Sequence, residues 1–287
     1  MPKKKRTPMP TTNFAINGNT YAVSIDGCPE FGTGKDVILS NVNTDIVFNQ
    51  PWYAKGYASL DFLSSEEFDN LKAGLTASVK NILTEVLGID SEGFVLEKYH
   101  HFVKTNEDHF KVVSRTRDLF SADFNFPIEE MLPKFEKLLG FALTDVDPKF
   151  NEKLHIIVRI NRPKSNDYNP PHKDIYEEVD KNNYIPPFVN LWIPIAGVTK
   201  NSSLPMVPES HLINESEIVR TFDGGVVEGN KYRVRMIKEW GGSHTLERAD
   251  VKDGQVLFFS SHLIHGLAIN EEEDLTRVAL EFRLFKA

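Results

Sequence analysis

The feature that most restricts the fold of this chain is a series of short apolar runs in its second half. From about residue 153 onward, runs rich in Val, Ile and Phe alternate with turns rich in Gly, Pro and Asn. Such runs are typical of β-strands, and a closely spaced series of them favours an antiparallel sandwich or barrel. The runs cover residues 154–160, 187–195, 203–208, 231–237, 254–260 and 277–285.

The first half of the chain contains helical patterns. In the segment 64–89, Ser64 and Glu67 fit a capping box, and apolar residues follow at helical spacing. A second helix is predicted over 127–142, and the segment "GFVLEKYHHFV" (93–103) between the two is predicted to be extended. The sequence therefore predicts an α+β protein, with N-terminal helices beside a β-rich second half.

No internal repeat and no low-complexity linker interrupts the chain, so residues 1–287 are expected to form a single domain, with most of the barrel in 153–287. Residues 1–12 contain the basic run "KKKR" and no apolar pattern, which predicts a mobile tail.

Composition excludes several classes of protein. The net charge of −8 argues against nucleic acid as a partner. No apolar run approaches the ~20 residues of a membrane span, and no secretory leader is visible. The single cysteine, Cys28, can form neither an internal disulfide nor a cysteine-based zinc site. These features predict a cytoplasmic protein, either a monomer or a homodimer.

Candidate metal ligands appear in the segment "NPPHKDIYEE" (169–178), where His172 and Asp174 are two residues apart. The segment "DGQVLFFSSHLIHGLAIN" (253–270) offers His262 and His265 as a third ligand. Because these two differ by three positions, they point to opposite faces of a strand. His265 shares its face with Leu257 and is the favoured ligand, and His262 is expected to lie in a pocket or at the surface.

The last predicted strand, "RVALEFRLF" (277–285), alternates regularly. One face carries Arg277, Ala279, Glu281 and Arg283, and the other face is entirely apolar. An apolar face of this kind needs a layer to pack against. The polar face is therefore predicted to line the interior of a barrel.

Together, His172, Asp174 and His265 form a two-histidine, one-carboxylate set, which suits Fe(II) with open coordination positions. A 2-oxo acid and O₂ could take those positions, and Arg277 could bind the far carboxylate of the acid, with Arg283 as the alternative anchor. The same three ligands also suit a zinc-type hydrolase or a cupin-type isomerase or binding protein.

Three longer segments narrow this choice. They are "GYASLDFLSSEEFDNLKAGL" (56–75), "VNLWIPIAGVTKNSSLPMVPESH" (189–211) and "GQVLFFSSHLIHGLAIN" (254–270). In this order they resemble the phytanoyl-CoA dioxygenase (PhyH-like) family of Fe(II)/2-oxoglutarate-dependent oxygenases. The chain departs from the family where "PESH" replaces the usual Pro-Gly-Ser-His.

The resemblance implies a double-stranded β-helix (a jelly-roll, cupin-like barrel) that uses Fe(II), 2-oxoglutarate and O₂. It implies that the enzyme hydroxylates, desaturates or cyclises an unactivated C–H position of a small metabolite and releases succinate and CO₂. It also implies that Trp192 walls the cosubstrate pocket. Arg159, on the predicted strand before the loop of His172 and Asp174, could reach cosubstrate or substrate. The substrate is expected to carry a carboxylate or an amine.

Overall fold

The computed structural model describes residues 11–26, 29–227 and 229–287. The helices in this part are α1 (Ser65–Leu87), α2 (Tyr99–Phe102), α3 (Asn106–Thr116), α4 (Ile128–Leu139) and α5 (Tyr176–Asp180). The strands are β1 (Thr11–Ile16), β2 (Asn19–Asp26), β3 (Phe31–Thr33), β4 (Tyr57–Asp61), β5 (Leu143–Thr144), β6 (Val146–Asp147), β7 (Glu152–Lys153), β8 (Ile157–Asn161), β9 (Phe188–Ala196), β10 (Pro205–Met206), β11 (Ile218–Thr221), β12 (Gly225–Val227), β13 (Asn230–Tyr232), β14 (Ile237–Trp240), β15 (Thr245–Arg248), β16 (Gln255–Ser260) and β17 (Arg277–Lys286).

Helix α1 begins at the capping box that the sequence predicts. The Ser64 side chain accepts a hydrogen bond from the Glu67 backbone, and the Glu67 carboxylate accepts one from the Ser64 backbone. The helix ends at Gly88 in the left-handed conformation, which glycine adopts without steric cost. Helix α4 also forms as predicted, with Pro133 inside it.

The principal sheet places the helices on one side and the candidate site residues on the other. Its strand order is β4-β16-β9-β17-β5, and β8 also pairs with β17. Apolar side chains of β17, such as Val278 and Leu280, pack with Leu71 and Leu75 of α1 in one buried cluster. The alternation predicted for residues 277–285 is therefore confirmed.

A second layer of strands covers the other face of the principal sheet. It contains two sheets, with the strand orders β10-β15-β1-β2-β12-β13 and β14-β11-β3. A buried cluster joins Phe14 and Trp240 of this layer to Phe188 and Phe285 of the principal sheet. These curled sheets with few helices form the double-stranded β-helix fold, and the predicted α+β fold class is confirmed.

Some local predictions differ from the structure. The segment 93–103 is not extended, since it contains a 3-10 turn (Leu96–Lys98) and α2. The run 231–237 is divided between β13 and β14. Helix α3 and the N-terminal strands were not predicted.

The predicted end of the mobile tail needs correction, because β1 begins at Thr11 and Thr12 is buried. The "KKKR" run and Cys28 lie outside the described residues. Among the described residues, no helix is long and apolar enough to cross a membrane.

Candidate metal centre and cosubstrate cavity

The backbone brings the two candidate histidine ligands together directly. The amide of His172 donates to the carbonyl of His265 at 2.9 Å, and the amide of His265 donates to the carbonyl of His172 at 3.1 Å. Gly266 follows with a φ of 130°, and a Cβ at this position would lie 2.6 Å from the Pro170 carbonyl oxygen. Glycine is therefore required where the two segments approach each other.

Both histidines present the same ring nitrogen to the centre of the site. The Nδ1 of His172 lies 2.8 Å from the Pro170 carbonyl, and the Nδ1 of His265 lies 3.1 Å from the Leu263 carbonyl. Because a carbonyl can only accept, each Nδ1 carries the proton and each Nε2 has a free lone pair. The two Nε2 atoms lie 3.6 and 3.7 Å from the oxygens of Asp174.

The charges of these groups suit a metal ion. Burial alone raises the pKa of Asp174, but Arg283, then His265 and His172, outweigh it and hold the pKa well below its ordinary value. Burial, with a smaller effect of His172, lowers the pKa of His265 to about 4. An ionised carboxylate and a neutral imidazole are the forms that bind metal. The ligand atoms of His172, Asp174 and His265 all lie within 4.8 Å of one another, so the three residues could hold iron.

A second group in the described residues, His100, His101 and Asp274, also has ligand atoms within 4.8 Å. Two atoms bound to one ion at about 2.1 Å stand roughly 3.0–3.5 Å apart. The two Nε2 atoms of this group lie 2.8 and 2.6 Å from the same Asp274 oxygen, which is hydrogen-bond spacing. The Nζ of Lys98 lies 2.5 Å from the other Asp274 oxygen. We therefore interpret this group as a hydrogen-bonded cluster.

A cavity of about 430 Å³ opens beside His172 and His265. This volume falls in the range of roughly 300–1,000 Å³ that is typical of ligand pockets. His172, His265, Trp192, Arg159 and Arg277 all line it. The structure thus brings these five residues, all of which the sequence singled out, into one space, although they come from five separate segments of the chain.

Arg277 is the most unusual group in this cavity. It is 2% exposed, and one of its nitrogens, Nη2, donates to the Asn161 side chain. Its Nε and Nη1, like the Nε1 of Trp192, have no hydrogen-bond partner among the described residues. Burial, then the neighbouring Arg159, lowers the pKa of Arg277 to about 9, so the guanidinium is charged at neutral pH. A buried charge with unused donors is costly unless an anion binds to it.

Arg159 lies on β8, next to the strand of Arg277. Its Nε and Nη2 donate to the two carboxylate oxygens of Glu281 at 2.9 and 2.7 Å, forming a bidentate pair. Burial raises the pKa of Glu281, but Arg159 outweighs this effect and the net shift is downward. The pair is therefore ionised, and both residues line the cavity.

Arg283, the alternative anchor for the cosubstrate carboxylate, contacts Asp174 instead of the cavity. Its Nη2 donates to Asp174 Oδ1 at 2.8 Å, and Asn190 Nδ2 donates to Asp174 Oδ2 at 2.7 Å. Arg283 is not among the residues that line the cavity of Arg277. Asn190 was missed in the sequence, although it shares the inward parity of Trp192 on β9 and could have been found from that alternation.

Two further buried groups differ from expectation or were missed. His262 lies neither in the cavity nor at the surface, because it is fully buried with its Nδ1 3.5 Å from Asp45. Lys173, between the two ligands in sequence, is buried and donates to Glu215 at 2.8 Å. No sequence pattern could have paired residues 42 positions apart. This ion pair anchors the backbone between His172 and Asp174.

Comparisons with known proteins agree with the site. The profile of the phytanoyl-CoA dioxygenase (PhyH) family matches residues 53–277. A search of curated protein sequences found no significant match. The family match resolves the choice that the three ligands leave open between an oxygenase, a hydrolase and a cupin-type isomerase or binding protein.

Solved structures with a similar fold include EctD from S. alaskensis with 2-oxoglutarate and 5-hydroxyectoine, at 15% identity over 92% of this chain and 86% of that chain, with a TM-score of 0.45. AviO1 from Streptomyces viridochromogenes Tue57 has 14% identity over 87% of this chain and 96% of that chain, with a TM-score of 0.39. Because the family profile matches most of the sequence, the chain belongs to the phytanoyl-CoA dioxygenase (PhyH) family and is a non-heme Fe(II)/2-oxoglutarate-dependent oxygenase.

Proposed function

We propose that His172, Asp174 and His265 bind the Fe(II) of this oxygenase and that the enzyme oxidises an unactivated C–H bond of a small metabolite. The oxidation is a hydroxylation, a desaturation or a ring closure, and succinate and CO₂ are released. The observation that supports this assignment most strongly is that the ligand atoms of the three residues lie within 4.8 Å of one another, and that two of these residues, His172 and His265, line one cavity with Arg277, a buried arginine with two unused donors.

The donor set fits the metal. Two neutral imidazoles and one carboxylate are the protein ligands of non-heme Fe(II) oxygenases, and they leave coordination positions for other molecules. When bound, the iron supplies the O₂ chemistry that breaks the C–H bond. The protein orients both imidazoles through their Nδ1 hydrogen bonds and keeps Asp174 ionised.

Arg277 is the proposed anchor for the distal carboxylate of 2-oxoglutarate. Its planar guanidinium can donate two parallel hydrogen bonds to a carboxylate, and its Nε and Nη1 are available for them. Trp192 lies under the same guanidinium, and its Nε1 is a third unused donor. Burial strengthens both interactions because little water competes with them.

The Arg159–Glu281 pair is proposed to contact the cosubstrate or the substrate. Both side chains line the cavity and remain partly accessible, at 29% and 24% exposure. Arg159 offers a cation to a carboxylate, and Glu281 offers an anion to an amine. This chemistry supports a small substrate that carries one of these groups. A cytoplasmic location, a monomeric or homodimeric state and no nucleic-acid partner remain expectations.

The test is succinate release by the Fe(II)-loaded enzyme with 2-oxoglutarate and a panel of amino acids, other carboxylic acids and amines. We expect a subset of the panel to stimulate succinate release and to gain oxygen or lose two hydrogens, as detected by mass spectrometry. His172→Ala should abolish both signals. Product formation that does not require 2-oxoglutarate would contradict the proposal.

A further inference from the structure

Both oxygens of the ligand carboxylate are already bound by the protein. Asp174 Oδ1 accepts from Arg283 at 2.8 Å, and Asp174 Oδ2 accepts from Asn190 at 2.7 Å. The two donors are direct cross-strand neighbours, because Arg283 of β17 pairs with Asn190 of β9. Two adjacent strands of the principal sheet therefore hold the carboxylate from one side, while His172 and His265 face it from another.

The Arg283 side chain is held by more than its ion pair. Its guanidinium carbon lies 4.8 Å from the centre of the Phe188 ring, also on β9. The side chain is 47% exposed, whereas that of Asp174 is 10% exposed. An arginine whose only contact was an exposed ion pair would hold Asp174 weakly, because exposed ion pairs are strongly solvated. Here the ring fixes the guanidinium where it can reach a nearly buried ligand.

We propose that Arg283 and Asn190 are positioning residues that clamp Asp174 so that it binds the metal through a single oxygen. This proposal rests on the assignment of Asp174 as a ligand. When one oxygen binds the ion, the other stays hydrogen-bonded to the clamp, and the carboxylate cannot rotate to bind through both oxygens. The coordination positions that cosubstrate and O₂ need are thereby kept open.

The positive charge of Arg283 should strengthen its hold on Asp174. A hydrogen bond from a charged donor to a carboxylate is shorter and stronger than one between neutral groups. The planar fork of arginine keeps its direction, whereas a lysine in its place would supply a charge without that geometry. Hydrogen-bond partners behind metal ligands typically contribute about 10–100-fold to metal affinity. Arg283 is expected to act at this scale.

The experiment titrates the metal-free protein with Co²⁺, followed by visible absorption and calorimetry. Arg283→Met should weaken Co²⁺ binding by about 10–100-fold and change the absorption spectrum of the bound ion. Arg283→Lys should recover part of the affinity. Asn190→Ala should weaken binding in the same direction, with circular dichroism to check folding. The matched control is Arg115→Met, which removes an arginine of similar exposure that pairs with Glu85 and Asp118 on the surface.

The activity readout separates this role from cosubstrate binding. With a working substrate, Arg283→Met should lower kcat and leave the KM for 2-oxoglutarate unchanged. Wild-type Co²⁺ affinity and an unchanged spectrum in Arg283→Met would overturn the clamp. If instead the wild-type protein and His172→Ala bind Co²⁺ equally, the ligand assignment itself fails, which is a different result.

Discussion

The guanidinium carbon of Arg277 lies 5.5 Å from the centre of the Trp192 ring, and both side chains bring unused hydrogen-bond donors to the same buried space. The two residues are 85 positions apart in sequence and come together because β9 and β17 are neighbours in the principal sheet. This arrangement is suited to an anion with a short carbon chain.

Arg277→Ala should raise the KM for 2-oxoglutarate by ~10²-fold or more, because losing a buried charge pair costs several kcal/mol and each 1.4 kcal/mol is about tenfold. Arg277→Lys should restore part of the loss. Steady-state kinetics at varied 2-oxoglutarate measures both. Arg283→Ala is the control, and a rise in this KM for Arg283→Ala without one for Arg277→Ala would move the anchor to Arg283.

Asp174→Ala removes one ligand and one negative charge, so Fe(II) affinity and turnover should both fall below detection at metal concentrations that saturate the wild type. Metal content after gel filtration and succinate release are the two measurements. Asp274→Ala, in the second histidine cluster, should change neither of them. Turnover at the wild-type rate by the Asp174 variant would show that this carboxylate is not a ligand.

Glu209 occupies a position where the family usually has glycine, and its φ is 64°. A Cβ in this left-handed region is strained. Glu209→Gly should therefore raise the free energy of unfolding by about 0.5–1 kcal/mol, the strain relief being partly offset by the greater freedom of glycine in the unfolded chain. Urea denaturation measures the change, and Glu209→Ala, which keeps the Cβ, should show no such gain.

His262 should make stability depend on pH. Burial, with Lys173 and His211 as smaller contributors, lowers the pKa of His262 to about 3. Asp45 also faces this ring, but its Oδ2 already accepts hydrogen bonds from Ser40 and Ser260.

The unfolded chain therefore binds a proton below about pH 6.5 that the folded protein does not, so stability should fall as the pH drops from 6.5 toward 3. The contribution of His262 to this fall in the free energy of unfolding approaches about 1.4 kcal/mol per pH unit. His262→Gln should flatten the dependence of the urea midpoint on pH between 7.5 and 5, relative to wild type and to the exposed control His155→Gln. Equal slopes in all three proteins would contradict the prediction.

Properties that depend on neighbouring residues could be predicted from the sequence. The capping box of α1 involves residues three positions apart, and the faces of β17 follow from a side-chain period of two. The side-chain alternation that places His265 and His262 on opposite faces of a strand is also a local property. Where a short apolar run fits either a strand or a helical turn, as in 93–103, the local pattern did not decide and the prediction was wrong.

The N-terminal strands could not be predicted from the sequence, because their pairing depends on distant residues. Strand β1 pairs in parallel with β15, more than two hundred residues later, and no local pattern contains that partner. The run 231–237 was likewise divided between two strands, because its halves pair with different neighbours.

The sequence by itself determined the residue types and spacing of the candidate metal ligands and the polar face of the last strand, because these are set by chain geometry over a few residues. Only the tertiary structure decided which arginine meets the cavity and which one holds Asp174. Arg277 and Arg283 have the same parity on β17, and nothing local distinguishes them. Strand register does so, since it places Arg277 opposite Asn161 and Arg283 opposite Asn190, and these pairings join residues more than ninety positions apart.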